Sequence, residues 1–95
     1  MRSVYVSFPT IETVQRFVEQ ISPLDGAFDL LSGGYILDAK SLMGILSLDL
    51  TKPIRLVVEK DTAKAMQAIE RFITTAPHLD TLPMSQREMA EQVQT

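Results

Sequence analysis

The sequence predicts an α+β fold: an open-faced sandwich with a four-stranded, mainly antiparallel sheet and three helices on one face. Three observations predict it. Residues 2–8 alternate in polarity, and residues 54–59 are rich in β-branched side chains, as strands are. Two longer segments, beginning near Thr10 and near Asp61, repeat apolar residues at helical spacing. Between them Ser32-Gly33-Gly34 is a hairpin signal, because glycine accepts the positive φ values that tight hairpin turns require. The resulting order is β-α-β-β-α-β-α.

The elements follow in order. Val4, Val6 and Phe8 share one face of the first strand, with Ser3, Tyr5 and Ser7 on the other, and Pro9 stops it. Thr10 is the expected N-cap of the first long helix, with Thr13 the weaker alternative, and Glu12 stands favourably in its first turn. Ile11, Val14, Phe17, Val18 and Ile21 form its apolar stripe, opposite Gln15, Arg16, Glu19 and Gln20. Ser22-Pro23 ends this helix and Leu24-Asp25-Gly26 turns the chain. Residues 27–31 and 35–39 read as a hairpin pair, with Phe28 and Leu30 on one face. After Thr51-Lys52-Pro53, residues 54–59 are the fourth strand. Asp61 or Thr62 caps the second long helix, whose inward stripe is Ala65, Met66, Ala68, Ile69, Phe72 and Ile73, and Pro77 ends it.

Residues 77–95 differ in character. They are polar and glutamine-rich, with Pro77 and Pro83. Ser85 and Glu88 have capping-box spacing, so the expectation is a domain over 1–76 and a tail over 77–95 that is flexible or carries a weakly docked short helix.

The most informative stretch is 38–50. Ser41 is placed to cap a short helix starting at Leu42, and Leu42, Ile45 and Leu46 follow at i, i+3 and i+4. Nearly every side of this helix is apolar, which predicts burial or a partner. Gly44 within it costs about 1 kcal/mol relative to alanine, which points to close packing or a short helix.

Composition narrows the function classes. The chain has 95 residues, 45% hydrophobic and 22% charged, enough for one modest core. Its net charge is −3 and it has no basic cluster, so neither nucleic acid nor an anionic membrane is an expected partner. There are no cysteines, which removes disulfides, thiolate catalysis and cysteine metal sites. No apolar run approaches the ~20 residues of a membrane span and no h-region is present, so the expectation is a soluble cytoplasmic protein. Asp29, Asp38, Glu59 and Asp61 have no spacing for paired acid–base work. His78, the single histidine, has no second ligand at metal spacing, and no phosphate-cradling or nucleophile-elbow motif occurs. Neither a cofactor, a metal nor an enzymatic role is expected.

The element order, together with Ala39-Lys40-Ser41-Leu42-Met43-Gly44-Ile45-Leu46-Ser47-Leu48 leading into the short helix, resembles HPr, the small phosphocarrier of the bacterial sugar phosphotransferase system. The family pattern there is Lys-Ser-(Ile/Leu)-(Met/Leu)-Gly-(Val/Ile)-(Met/Leu)-Ser-Leu. The resemblance covers roughly residues 2–74. HPr carries phosphate on a histidine opening its first long helix, within Gly-(Ile/Leu)-His-(Ala/Thr)-Arg-Pro. Here Thr10 stands at the histidine, Glu12 at the arginine and Thr13 at the proline. The preceding loop is shortened as well, and Glu12 would repel a phosphate. The carrier chemistry therefore does not transfer.

The family has a second site, a serine at the cap of the short helix that a dedicated kinase phosphorylates in some bacteria. Ser41 is the matching residue, either a regulatory phosphorylation site or a plain cap. In HPr the short helix and the start of the first long helix form one partner-binding patch, so the resemblance marks Met43, Ile45 and Leu46 as partner-binding candidates with partial exposure. It implies a non-catalytic regulatory or protein-interaction module, with phosphotransferase-system or catabolite-regulation proteins as the partner class. The alternatives are a phosphocarrier-related component of sugar transport, or a structural domain. Monomer and weak homo-oligomer both stay open.

Overall fold

The structure is a computed structural model that describes residues 1–75. Its elements are β1 (Arg2–Val6), α1 (Ile11–Ile21), β2 (Phe28–Ser32), β3 (Tyr35–Asp38), α2 (Leu42–Leu46), β4 (Ile54–Val58), α3 (Ala63–Ile69), a 3-10 turn (Glu70–Phe72) and β5 (Ile73–Thr74). The expected α+β class holds, with an antiparallel open sheet and three helices. The sheet has five strands rather than four, in the order β3-β2-β4-β1-β5. The expectations for a tail and for a helix over 85–92 lie outside the described residues.

Strand register decides which side chains face the helices. Val6 opposes Ile54 and Val4 opposes Leu56, while Leu30 meets Leu56 from the other side and Phe28 meets Val58. These residues join Val14, Phe17 and Ile21 of α1, Ile45 of α2, and Ala65 and Ile69 of α3 in one buried cluster. Phe8, Phe17 and Phe72 form its aromatic end: Phe17 meets Phe8 edge-on at 4.9 Å between ring centroids and Phe72 at 5.3 Å. Among the described residues no charged or polar side chain is buried, so apolar burial holds this core without an internal polar network.

The last helix departs from expectation for a specific reason. The stripe Ile69–Ile73 continues at helical spacing, yet α3 stops at Ile69 and tightens into a 3-10 turn that drops Phe72 into the core. The Ser7 N–H donates to the Phe72 carbonyl at 2.9 Å, and Ile73 and Thr74 pair with Val6 and Tyr5. Edge pairing with β1 thus replaces another helical turn, and leaves Ile73 exposed.

The turns follow their residues. Gly33 and Gly34 take φ of 55° and 86° in the β2–β3 hairpin, where a side chain would be strained. Thr62, not Asp61, caps α3, its hydroxyl accepting the Ala65 N–H at 3.1 Å. Asp61 serves the N-terminal strand instead, 3.5 Å from the N-terminal ammonium and 3.6 Å from Arg2 Nε. Its carboxyl lies below the ordinary range, first because it accepts a hydrogen bond from the Asp61 backbone N–H and then through the N-terminal charge.

Candidate functional site

The elements that the sequence singles out meet where α1 begins and α2 packs beside it. Pro9 ends the extended chain and Thr10 adopts β-region angles, φ −140° and ψ 163°, as an N-cap does. Its hydroxyl oxygen accepts the Thr13 N–H at 3.1 Å and lies 2.8 Å from the Thr13 hydroxyl. The donor that would greet an anion at this helix start is thereby already satisfied by Thr10, and Glu12 adds negative charge to the first turn. The segment after α2 closes in from the side. A shallow cleft of about 380 Å³ is lined by Phe8, Pro9 and Ile11 together with Leu50 and Thr51.

Several contacts hold α2 in place. The buried Ala39 donates its N–H to the Phe28 carbonyl at 2.7 Å, tying the end of β3 to β2. Lys40 reaches back, its Nζ donating to the Leu24 carbonyl at 2.6 Å and standing 5.6 Å from the Phe28 ring centroid. Ser41 then caps the helix: its hydroxyl accepts the Gly44 N–H at 3.2 Å. Gly44 is small because of this cap. A Cβ there would stand 3.1 Å from the Ser41 hydroxyl oxygen and 3.5 Å from a Leu37 methyl. At the other end the Ser47 hydroxyl donates to the Gly44 carbonyl at 2.6 Å and closes the helix at Leu46, shorter than the 42–48 run of apolar residues suggests. Asp49 accepts from the Thr51 hydroxyl at 2.5 Å and from its N–H at 3.0 Å. The Thr51 hydroxyl, then its N–H, hold the Asp49 carboxyl below the usual carboxylate range, with Lys52 adding to the effect.

The cap can be tested directly. Ser41→Ala is expected to lower stability by about 1 kcal/mol and Ser41→Gly by only a few tenths, measured by urea denaturation.

The three partner-binding candidates separate. Met43 is 77% exposed and Leu46 36%, both on a solvent-facing side of α2. Ile45 is fully buried in the core and is corrected: a side chain with no accessible surface makes no contact with a partner. Sequence reasoning missed Ile11, which is 60% exposed. It stands at the margin of the α1 stripe, in the first turn, where the sheet no longer covers it. Its offset from Val14, Phe17 and Ile21 on a 100° helical wheel was the available signal.

Chemically this region offers hydroxyl caps and exposed apolar side chains. Among the described residues the Ser41 and Thr10 hydroxyls bond to backbone N–H groups and to Thr13, and no group of three His, Cys, Asp or Glu side chains could hold a metal ion. No helix among the described residues is long and apolar enough to cross a membrane. His78 lies outside the described residues. Comparison of the chain with protein-family models, curated proteins and solved structures finds no match.

Proposed function

We propose that the chain is an HPr-like, non-catalytic regulatory or protein-interaction module that has lost histidine phosphotransfer. Its contact surface is the exposed side of α2 with the start of α1. The observation that carries this reading is the exposure of Met43 and Leu46 on the helix that Ser41 caps, with Ile11 exposed at the start of α1. These side chains stand on helices that pack against each other, and the position matching the phosphocarrier histidine holds Thr10. Exposed apolar side chains on a small domain, two of them on one side of α2, favour a protein partner over a small-molecule substrate.

Ser41 is the regulatory point in this reading. A phosphoryl group there would add about −1.5 to −2 charges beside Lys40 and at the start of α2, and would break the neutral cap to Gly44. The same charge would border Met43, the most exposed side chain of the surface. Phosphorylation would therefore switch an apolar contact to a charged one.

Two incubations test the proposal. With an HPr kinase and ATP, the expected result is a single phosphate on the intact chain, absent in Ser41→Ala. With phosphoenolpyruvate and the general phosphotransferase enzyme, no phosphohistidine is expected. Stable phosphohistidine would return the chain to the phosphocarriers, and an unmodified Ser41 would leave it as a cap alone.

A further inference from the structure

The helices cover one face of the sheet, and strand register sets two rows of side chains on the opposite face. Ile36, Leu31, Arg55, Tyr5 and Thr74 form one row across all five strands. Asp38, Asp29, Val57 and Ser3 form the next. None of these nine residues is buried. Charge is spread unevenly over them. Asp29 and Asp38 oppose each other directly on β2 and β3, and like charges so placed destabilise a strand pair. Asp38 accepts the Lys40 N–H at 2.9 Å, but neither carboxylate has an ion-pair partner among the described residues. Arg55 turns away from both: its Nε donates to the Ser3 hydroxyl on β1 at 2.7 Å. It too has no ion-pair partner among the described residues.

β4 is the middle one of the five strands, and its Val57 lies between Asp29 on β2 and Ser3 on β1. The face is therefore matched to a copy of itself turned about a two-fold axis running along β4. That rotation sets β1 over the partner's β2 and β5 over the partner's β3. Ser3, with the Arg55 side chain held against it, comes over the partner's Asp29. The two Arg55 side chains leave the axis in opposite directions, each toward its own Ser3, so they do not meet. Tyr5 comes over the partner's Leu31, where a shallow cleft of about 710 Å³ opens beside Ile36 and Tyr35. Val57 meets its own counterpart. The relation is isologous, so every contact off the axis is made twice. Strands stacked this way keep a nearly common direction, as in aligned sheet packing.

We infer that two copies of the chain associate through these sheet faces, Arg55 of each forming an ion pair with the partner's Asp29. Arg55 gains a carboxylate, and the opposed Asp29 and Asp38 gain a cation between them and the next copy. Nine side chains on each copy are fewer than half of the roughly 20–30 in an interface of standard size. The dimer is therefore weak, with a Kd between about 1 μM and 1 mM. The inference concerns the face opposite α2 and does not depend on the function proposed above.

Sedimentation equilibrium of the full chain reads the association. The parent chain should pass from monomer to dimer within that concentration range. Arg55→Asp and Asp29→Arg should each weaken the dimer at least about tenfold. An equimolar mixture of the two variants should associate again, because the mixed dimer carries two opposite-charge pairs. Arg16→Glu, on the exposed side of α1, should change nothing. In the unaltered chain, dilution should shift the amide NMR signals of Tyr5, Asp29, Leu31 and Val57 and leave those of Gln15 and Glu19 in place, whether or not a variant folds. A monomer mass at every concentration up to about 1 mM would overturn the inference. So would a dimer that both charge reversals leave intact, a mixture that stays monomeric, or dilution shifts confined to α1 and α2.

Discussion

Phe17→Ala is expected to cost about 3–5 kcal/mol of folding stability, the range for removing a fully buried phenylalanine from a core. Phe17 touches both other members of the aromatic cluster, Phe8 at 4.9 Å and Phe72 at 5.3 Å. It also joins α1 to the sheet and to the turn after α3. Those three rings come from the loop after β1, from α1 and from the last turn before β5, so no single element can move in to fill the space. A domain of this size has a total stability of about 5–15 kcal/mol, and the loss is therefore a large fraction of the whole. In thermal unfolding the midpoint should fall by roughly 12 °C or more. Phe17→Leu, which keeps most of the volume, should cost clearly less. Equal melting of the alanine variant and the parent chain would contradict the placement of this core.

Ile45→Ala is expected to cost about 2–5 kcal/mol, whereas Met43→Ala, two residues away, should stay within about 0.5 kcal/mol. Ile45 has no accessible surface and belongs to the core cluster, while Met43 is the most exposed side chain of α2. The pair therefore separates two duties of a five-residue helix. Loss of Ile45 detaches α2 from the domain and would remove any partner binding indirectly. Loss of Met43 removes only what is presented to solvent. Urea denaturation of both variants reads the difference, and equal midpoints would overturn the division. Partner binding should then be tested with Met43→Lys, whose fold is intact.

Much of the architecture is legible from residue patterns. The alternation through Val4 and Val6, the double glycine at 33–34 and the β-branched run at 54–58 each identify a strand that the structure contains. The caps Thr10, Ser41 and Thr62 each mark the residue before a helix. What failed was decided by contacts distant in sequence. β5 has two residues and no periodicity of its own, and Ile73 continues the helical stripe of Ile69, so local pattern points to helix. The Phe72 side chain in the core, the Ser7–Phe72 backbone bond and the pairing of Ile73 and Thr74 with β1 pull the chain out of the helix, and all of them depend on residues near the other end of the sequence. The site was legible in part for the same reason. An apolar helix announces that it meets something, but not which side chain meets the core. Ile45 and Leu46 are adjacent and similar in character, and only the position of the sheet beneath α2 buries one and exposes the other.

The strand order also bears on how the chain can fold. β4 lies between β2 and β1, and every bond that joins the first strand to the hairpin passes through it. Until residues 54–58 exist, β1 with α1 and the β2–β3 hairpin share no ladder, and a hairpin alone is only marginally stable in water. The fold therefore closes late and through contacts between distant parts of the sequence, with the loop-closure entropy that slows such folding. A nascent chain emerging from its N-terminus would carry Val6, Phe8 and Phe17 exposed until β4 inserts. That interval is when the protein is most open to aggregation and to capture by a chaperone.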